Sequence, residues 1–199
     1  MNEKSSFDIL LENLTALGYQ PESNLLQQVS VFAVTGNRYG SNKHVYCVLS
    51  KGLYLFAYDC FKSSAYNSST FTGIYTTVDL PPQAEYRVIK KDWVHFILKN
   101  KQRVGSADIN KKITLLSSTW IPHRELGEQT VDLFLKLHDS TRRLHTLLVK
   151  NDYLPQIEEF KGKKILGIET DCWLYEKGAL AQFIEQGSKL VLDVKQNSY

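Results

Sequence analysis

The chain has 199 residues, of which 43% are hydrophobic and 23% charged, and its formal net charge at pH 7 is +3. Such a composition argues against a wholly disordered chain, which would hold too few apolar side chains to form a core. No apolar run approaches the ~20 residues that a membrane-spanning helix needs, so no membrane contact is expected. The first residues also lack the pattern of a secretory signal.

Three cysteines occur, Cys47, Cys60 and Cys172. Their number is odd, and their spacing matches neither a metal site nor a redox pair. The sequence therefore predicts unpaired thiols in a reducing cytoplasm.

The first predicted element is an amphipathic helix over residues 6–17, which Ser5 or Ser6 caps and Gly18 ends. Strands are expected next because β-branched and aromatic residues alternate with polar ones. The predicted strands cover residues 29–35, 44–50, 53–59, 71–80, 85–91, 92–99 and 111–119. The segment 92–99 also fits a buried helix, and the serine-rich residues 60–70 are expected to form a surface loop.

A hairpin is predicted at Lys51-Gly52, and two registers are open. A two-residue turn would place His44 opposite Asp59. A three-residue loop with a glycine bulge would shift the register by one position. The second register would put a set of aliphatic side chains on one face, namely Val45, Cys47, Leu49, Leu53, Leu55 and Ala57.

The second half of the chain mixes both periodicities. Residues 131–138 fit a strand and partly fit a helix, and the strand is slightly favoured. Helices are predicted over 155–162 and over 179–186, the second ended by Gly187. The remaining strands are expected at 143–150, within 164–176 and at 189–195.

These elements predict an α+β fold with a mostly antiparallel sheet in the N-terminal half and a smaller mixed αβ segment at the C-terminal end. The division would fall between a helix-plus-sheet segment at 1–120 and a mixed αβ segment at 121–199. One continuous domain over 1–199 is the alternative.

The stretch TGNRYGSNKH, residues 35–44, contains two glycines and three basic residues, a composition that also occurs in phosphate-binding loops. Such loops open a helix, so that main-chain N–H groups converge on the anion. A strand is predicted after this stretch instead, and neither G-x-G-x-x-G nor G-K-[ST] is present. The sequence favours a hairpin connection, in which Arg38 and Lys43 could still touch an anion.

One acidic pattern points to catalysis. Glu169 and Asp171 are predicted on one face of a strand, and Asp193 and Lys195 follow later. This set resembles the acid…acid-x-lysine arrangement of restriction-endonuclease-like nucleases. The resemblance implies a metal-dependent phosphodiesterase or nuclease, in which carboxylates hold the metal ion.

Two arrangements of histidines could also carry chemistry. A cross-strand pair of His44 and Asp59 would orient an imidazole for acid–base chemistry, if the first hairpin register holds. His138 and His145 could face each other across a turn and, with Asp139, begin a metal site, although no third ligand is identifiable. Ordinary surface positions account for both arrangements.

Basic side chains outnumber acidic ones within residues 85–112, and aromatic residues lie among them. Such a mixture can bind single-stranded nucleic acid. Lysines at strand edges also prevent aggregation, and the aromatic residues fit a core, so a nucleic-acid partner is not favoured.

The sequence thus favours a non-catalytic cytoplasmic binding or interaction protein, whose partner is an unidentified protein or small molecule. No cofactor and no metal ion are expected. A metal-dependent phosphodiesterase or nuclease is the alternative, and the sequence does not determine the oligomeric state.

Overall fold

The computed structural model describes residues 4–30, 38–62, 69–92, 101–104, 106–117, 126–141, 143–151 and 154–198. Side chains at 26–30, 38–42 and 61–62 are not described. The predicted strand over 92–99 lies almost wholly outside the described residues, as do residues 31–35 of the predicted strand over 29–35.

Four helices and nine strands are present in these residues. The helices are α1 (Ser6–Ala16), α2 (Ala107–Lys112), α3 (Glu128–Thr141) and α4 (Lys177–Asn197). The strands are β1 (Glu22–Ser30), β2 (Arg38–Ser50), β3 (Leu53–Lys62), β4 (Ser69–Val78), β5 (Tyr86–Lys90), β6 (Lys101–Gln102), β7 (Ile113–Ser117), β8 (His145–Asn151) and β9 (Lys164–Thr170).

All nine strands belong to one antiparallel sheet in the order β1-β2-β3-β4-β9-β8-β5-β7-β6. The predicted α+β class is confirmed. The sheet is not restricted to the N-terminal half, because β9 and β8 lie between β4 and β5. Strands from both sides of the predicted boundary near residue 120 therefore pair with each other.

The helices α1, α3 and α4 pack on one face of the sheet, here called the helix face. Alternate residues of a strand point to the same face, so one apolar set from each central strand meets the helices. This core includes Val45, Leu55, Ile74, Leu147 and Ile168 from the strands and Leu10, Leu14, Phe134, Phe183 and Val191 from the helices. Burying each of these side chains contributes roughly 1.5–3 kcal/mol.

The opposite face is here called the aromatic face. Tyr54, Phe56 and Tyr75 pack there with Leu154, Ile157 and Phe160 of the segment that precedes β9. Tyr46, Tyr58 and Phe71 are partly buried beside them. The sheet therefore carries a mainly aliphatic side under helices and an aromatic side.

The hairpin between β2 and β3 follows the shifted register. Gly52 has a φ of 72°, which glycine adopts without strain. Ser50 pairs with Leu53, but an irregularity between Val48 and Ser50 moves the ladder by one position. Val45 then lies opposite Ala57, and His44 lies opposite Tyr58. The bulge is favoured because it turns the aliphatic residues towards the helices.

Several predicted elements of the second half were wrong. Residues 131–138 belong to helix α3, whose buried residues Val131, Phe134 and Leu137 are three positions apart. Residues 189–195 belong to α4, which continues through Gly187. A Cβ atom at Gly187 would lie 2.9 Å from Ile74 Cδ1, so this glycine permits close packing on the sheet rather than ending the helix.

Two further differences concern short segments. The predicted helix over 155–162 is reduced to a 3-10 turn at Glu158–Phe160. Residues 172–176 form no strand in the structure. Trp173 instead packs against Phe7 of α1, with ring centroids 6.2 Å apart. None of the described helices has the length and apolarity to cross a membrane.

Candidate functional site

A pocket of about 510 Å³ opens at one end of four neighbouring strands. It is here called the strand-end pocket. Its lining comes from the start of β4, the end of β5, the start of β8, the end of β9 and His138 of α3. The sheet order creates this site, because β9 and β8 are inserted between β4 and β5.

Tyr75 lies next to the pocket and contacts Glu169, which lines one of its walls. Its ring is fully buried and lies across Gly73 and Gly167, where any Cβ atom would collide with it. From there the Tyr75 hydroxyl donates a hydrogen bond of 2.8 Å to Glu169 Oε1. The two glycines therefore let Tyr75 lie against the sheet and orient the Glu169 carboxylate.

His145 forms another wall and is only 3% exposed. Its Nε2 lies 2.5 Å from Thr141 Oγ1, and that hydroxyl donates to the Leu137 carbonyl. Nε2 and the Thr141 hydroxyl share a hydrogen bond whose direction follows the tautomer of the ring. Nδ1 is buried and has no hydrogen-bond partner among the described residues.

Burial also sets the protonation of His145. Desolvation, with smaller contributions from His138 and Arg143, lowers the pKa of His145 to about 4. The main chain of Glu169 acts on the ring in the opposite direction and raises this pKa. The ring, stacked on Phe183 at 5.5 Å, is therefore neutral at pH 7.

Charged side chains of both signs line the pocket. Lys90 Nζ lies 2.6 Å from Asp139 Oδ1, and this hydrogen bond lowers the pKa of the Asp139 carboxyl. Lys91 Nζ donates to the main-chain carbonyl of Asn110. Both lysines are thus engaged with acceptors of the protein itself.

An aromatic row continues from the pocket along the aromatic face. The ring of Phe71, which lines the pocket, lies 5.6 Å from that of Tyr58 and 6.0 Å from that of Phe56. The row continues to His44, 5.8 Å from Phe56, and to Tyr46, 6.5 Å from His44. Burial lowers the pKa of His44.

The four residues of the nuclease-like pattern are not brought together. Glu169 lies on the aromatic face beside Tyr75, and Asp171 follows at the pocket. Asp193 and Lys195 belong to α4 on the helix face, where Asp193 accepts from Thr130 and Lys195 donates to Thr76. Residues two positions apart in a helix point ~200° apart, whereas the predicted strand would have kept them on one side.

The His44–Asp59 pair is also not formed. Asp59 lies on the helix face, where it pairs with Lys43 at 3.1 Å and accepts from Thr70 at 2.5 Å. The bulge in β2 places His44 on the aromatic face instead. Lys43 also lies 4.8 Å above the ring of Trp173, so this residue of the stretch 35–44 has a structural role.

The two histidines of the proposed metal arrangement do meet, but across α3 and β8 rather than a hairpin. Their ring centroids are 6.3 Å apart, and Asp139 is engaged by Lys90. Within the described ranges, no group of three or more His, Cys, Asp or Glu side chains is arranged to hold a metal ion.

Several basic side chains in the described part of the segment 85–112 form ion pairs with aspartates. Lys111 and Lys112 each lie 2.9 Å from an aspartate, Asp108 and Asp132 respectively. The aromatic residues of this segment at 93–96 lie outside the described residues.

Sequence reasoning missed Tyr75, which bonds Glu169 beside the pocket, and the two glycines that it lies across, Gly73 and Gly167. The available signal was a glycine inside each of two predicted strands, which often marks a close approach of another group. No known protein family, curated protein or solved structure matches this chain.

Proposed function

We propose that this protein is a non-catalytic binding protein whose ligand is a small molecule held in the strand-end pocket. The observation that carries the proposal is the pocket itself. Its volume of about 510 Å³ falls within the ~300–1,000 Å³ typical of small-molecule sites. Apolar side chains such as Phe71, Ile89 and Leu144 line it together with a few polar groups, which is the usual composition of such sites.

The absence of catalysis is supported by what the reactive side chains already do. Glu169 accepts a hydrogen bond from the Tyr75 hydroxyl, and Asp193 accepts one from Thr130. Lys195 donates a hydrogen bond to Thr76. His145 shares a hydrogen bond with Thr141 through Nε2 and has a pKa of about 4, far from that of a general base at neutral pH. The polar atoms of these side chains are thus used in hydrogen bonds that stabilise the fold, which supports a role other than catalysis.

The test is a thermal-shift screen of small metabolites against the wild type and two variants. Thr146→Trp fills the pocket, whereas Val48→Trp adds the same side chain at a position 54% exposed on β2. A ligand at a hundredfold excess over its Kd stabilises a protein by ~2.7 kcal/mol, which raises the Tm of a chain of this size by roughly 5–10 °C.

We expect at least one compound to raise the Tm of the wild type and of Val48→Trp but not of Thr146→Trp. Circular dichroism would first establish that both variants are folded. A screen without any stabilising compound, or an equal shift in the Thr146→Trp variant, would contradict the proposal.

A reducing compartment such as the cytoplasm fits the three free thiols. Burial raises the pKa of the Cys47 thiol to about 12, so it is unreactive while the protein is folded. We expect protein purified without reductant to show three reactive thiols in denaturant. A count of one would indicate a disulfide and oppose this placement.

A further inference from the structure

We propose that the outer edge of β1 is an interface between two copies of this chain, in which β1 of one copy pairs antiparallel with β1 of the other. A two-fold axis between the two strands would join both sheets into one continuous sheet. None of the described residues of β1 lines the strand-end pocket. The dimer is therefore independent of the small-molecule site.

Strand β1 forms one edge of the sheet. In the part of the chain that the structure describes, Glu22–Ser30 pairs with β2 and comes first in the sheet order. Alternate residues of such a strand direct their main-chain N–H and C=O groups away from the neighbouring strand. These groups form a row of donors and acceptors that a further strand can bind.

The sequence of β1 lacks the features that protect an edge strand. Natural edges are protected by short length, by lysine or proline, or by a bulge. β1 is nine residues long, its register with β2 is unbroken, and it contains no lysine, arginine or proline. The opposite edge differs, because β6 has two residues and one of them is Lys101. Of the two described edges, β1 is therefore the one that offers a long unprotected strand.

The first part of β1 is also uncovered. Residues 22–25 are consecutive and all exposed. Because successive side chains of a strand point to opposite faces, the described residues leave both faces of this part open. Leu25 is 48% exposed, although it is apolar. Pairing of this edge would remove part of the Leu25 side chain from water, which stabilises the paired state.

The charges of β1 are compatible with a second copy of the same strand. Glu22, at the first position, is the only charged residue of β1. The register that pairs all nine residues sets Glu22 opposite Ser30 of the other copy. The two copies of Glu22 then lie at opposite ends, roughly 27 Å apart at ~3.4 Å per residue. That separation exceeds the Debye length of about 8 Å at physiological ionic strength, so these charges do not oppose pairing.

Sedimentation velocity of the full-length chain at increasing micromolar concentrations tests the dimer. We expect the wild type to change from monomer to dimer. In the register above, the two copies of residue 25 are diagonal neighbours, about 7–8 Å apart. Leu25→Lys should therefore weaken the association by about tenfold or more, because it brings two like charges together at the edge.

Leu192→Lys is the matched control. Leu192 is 40% exposed and belongs to α4, which packs on β4 and β9. The same substitution there should leave the dissociation constant of the dimer unchanged. Both leucines are exposed, so both variants should fold, and circular dichroism would check this before the comparison.

Hydrogen exchange locates the contact. In the dimer, the outward N–H groups of β1 are bonded to the other copy, so exchange within residues 22–30 should slow as the protein concentration rises. The slowing should be lost in Leu25→Lys and kept in Leu192→Lys. A chain that stays monomeric overturns the proposal and leaves this edge to a strand of a different protein. A dimer that Leu25→Lys leaves intact, or that does not protect residues 22–30, also overturns it.

Discussion

His145 shows how one buried residue links the pocket to the stability of the fold. Its Nε2 bonds Thr141 at the end of α3, its ring stacks on Phe183 of α4, and it belongs to β8. Three elements therefore surround one imidazole. Placing a charge there would remove it from water without a described counter-ion, which is costly.

The first prediction concerns the pH dependence of stability. The pKa of His145 is about 4 in the folded state and near 6.5 in the unfolded chain. Between these values the unfolded state binds the proton more readily. The contribution of His145 to the free energy of unfolding is therefore constant above about pH 6.5. It falls by about 3 kcal/mol as the pH drops to 4.

Urea unfolding of the wild type and of His145→Phe at pH 4.5 and pH 7.5 measures this contribution. The variant should lose clearly less stability between the two pH values, because phenylalanine does not titrate. His44→Gln is the control at a less buried histidine and should keep most of the wild-type dependence. An unchanged pH dependence in His145→Phe would show that the imidazole is not protected as described.

The second prediction concerns the contact between Tyr75 and the glycines. A Cβ atom at Gly167 would collide with the Tyr75 ring and lie 3.0 Å from the Ile74 carbonyl. Tyr75 is fully buried and cannot swing away. We expect Gly167→Ala to destabilise the fold by about 1–3 kcal/mol, the usual range for overpacking.

Gly178→Ala is the matched control, because no atom lies within 4 Å of a Cβ there and the residue is helical. It should be neutral or slightly stabilising, since alanine favours helices by up to ~1 kcal/mol over glycine. Denaturant midpoints of the two variants give the comparison. Equal stability of both would mean that Tyr75 does not lie across Gly167.

Among the elements, those defined by local signals were predicted well. Helix α1 has a serine cap, a complete apolar stripe and a terminal glycine, and the structure places it at Ser6–Ala16. The β2–β3 hairpin was predicted from its turn residues. Its register depended on which face becomes buried, and that depends on helices far away in sequence.

Elements with ambiguous periodicity were decided by tertiary packing. Val131, Leu133, Leu135 and Leu137 alternate, which suits a strand, yet Val131, Phe134 and Leu137 also share one side of a helix. In α4 the glycine at 187 resembles a helix end, but it is required for contact with Ile74 and Ile168. The choice between helix and strand for these segments depends on packing against the surface of the sheet, which cannot be read from the local sequence.

The candidate site was foreseen only in pieces. Sequence reasoning placed Glu169 and Asp171 on one face and brought His138 near His145, and both pairs line one pocket. Sequence reasoning did not predict that the two pairs share one pocket, because the order of the strands in the sheet depends on contacts between residues far apart in sequence. Asp193 was predicted to join Glu169 and Asp171 because residues 189–195 were expected to form a strand. These residues belong to α4, which places Asp193 beside Thr130 instead.

The third prediction concerns the contact between α3 and α4. Thr130 is 1% exposed, and its hydroxyl donates to Asp193 Oδ2 at 2.6 Å. Hydrogen bonds to a charged group contribute about 1.5–3 kcal/mol. We therefore expect Thr130→Val to destabilise the protein by about that amount, whereas Thr130→Ser, which keeps the hydroxyl, should cost clearly less.

Urea denaturation at pH 7 would measure both variants. A further comparison is Asn197→Ala, which removes a longer and exposed contact to Asp193, 3.4 Å in length. It should be nearly neutral. Should Thr130→Ser be as destabilised as Thr130→Val, packing rather than the hydrogen bond would hold the two helices together.

For the whole molecule, the central question is how the two halves of the sequence depend on each other. Strand β9 pairs with β4 along seven residues, from Thr72 opposite Thr170 to Val78 opposite Lys164. Strand β8 pairs with β5 on its other side. The first half alone would therefore leave β4 and β5 without the two strands that join them.

The last prediction is that residues 1–120 and 121–199 unfold together. Hydrogen exchange in increasing urea should report loss of protection in β3 and β4 at the same concentration as in β5 and β7. Because β8 and β9 lie between these pairs in one sheet, opening either side exposes apolar surface and unpaired main-chain groups on the other.

Leu147→Ala offers a sharper test of this common unfolding. It creates a cavity at a fully buried position of β8, which should cost about 2–5 kcal/mol, and it should lower both urea midpoints equally. Two separate transitions, with only the second-half strands responding to Leu147→Ala, would instead show two independent folding units divided near residue 120.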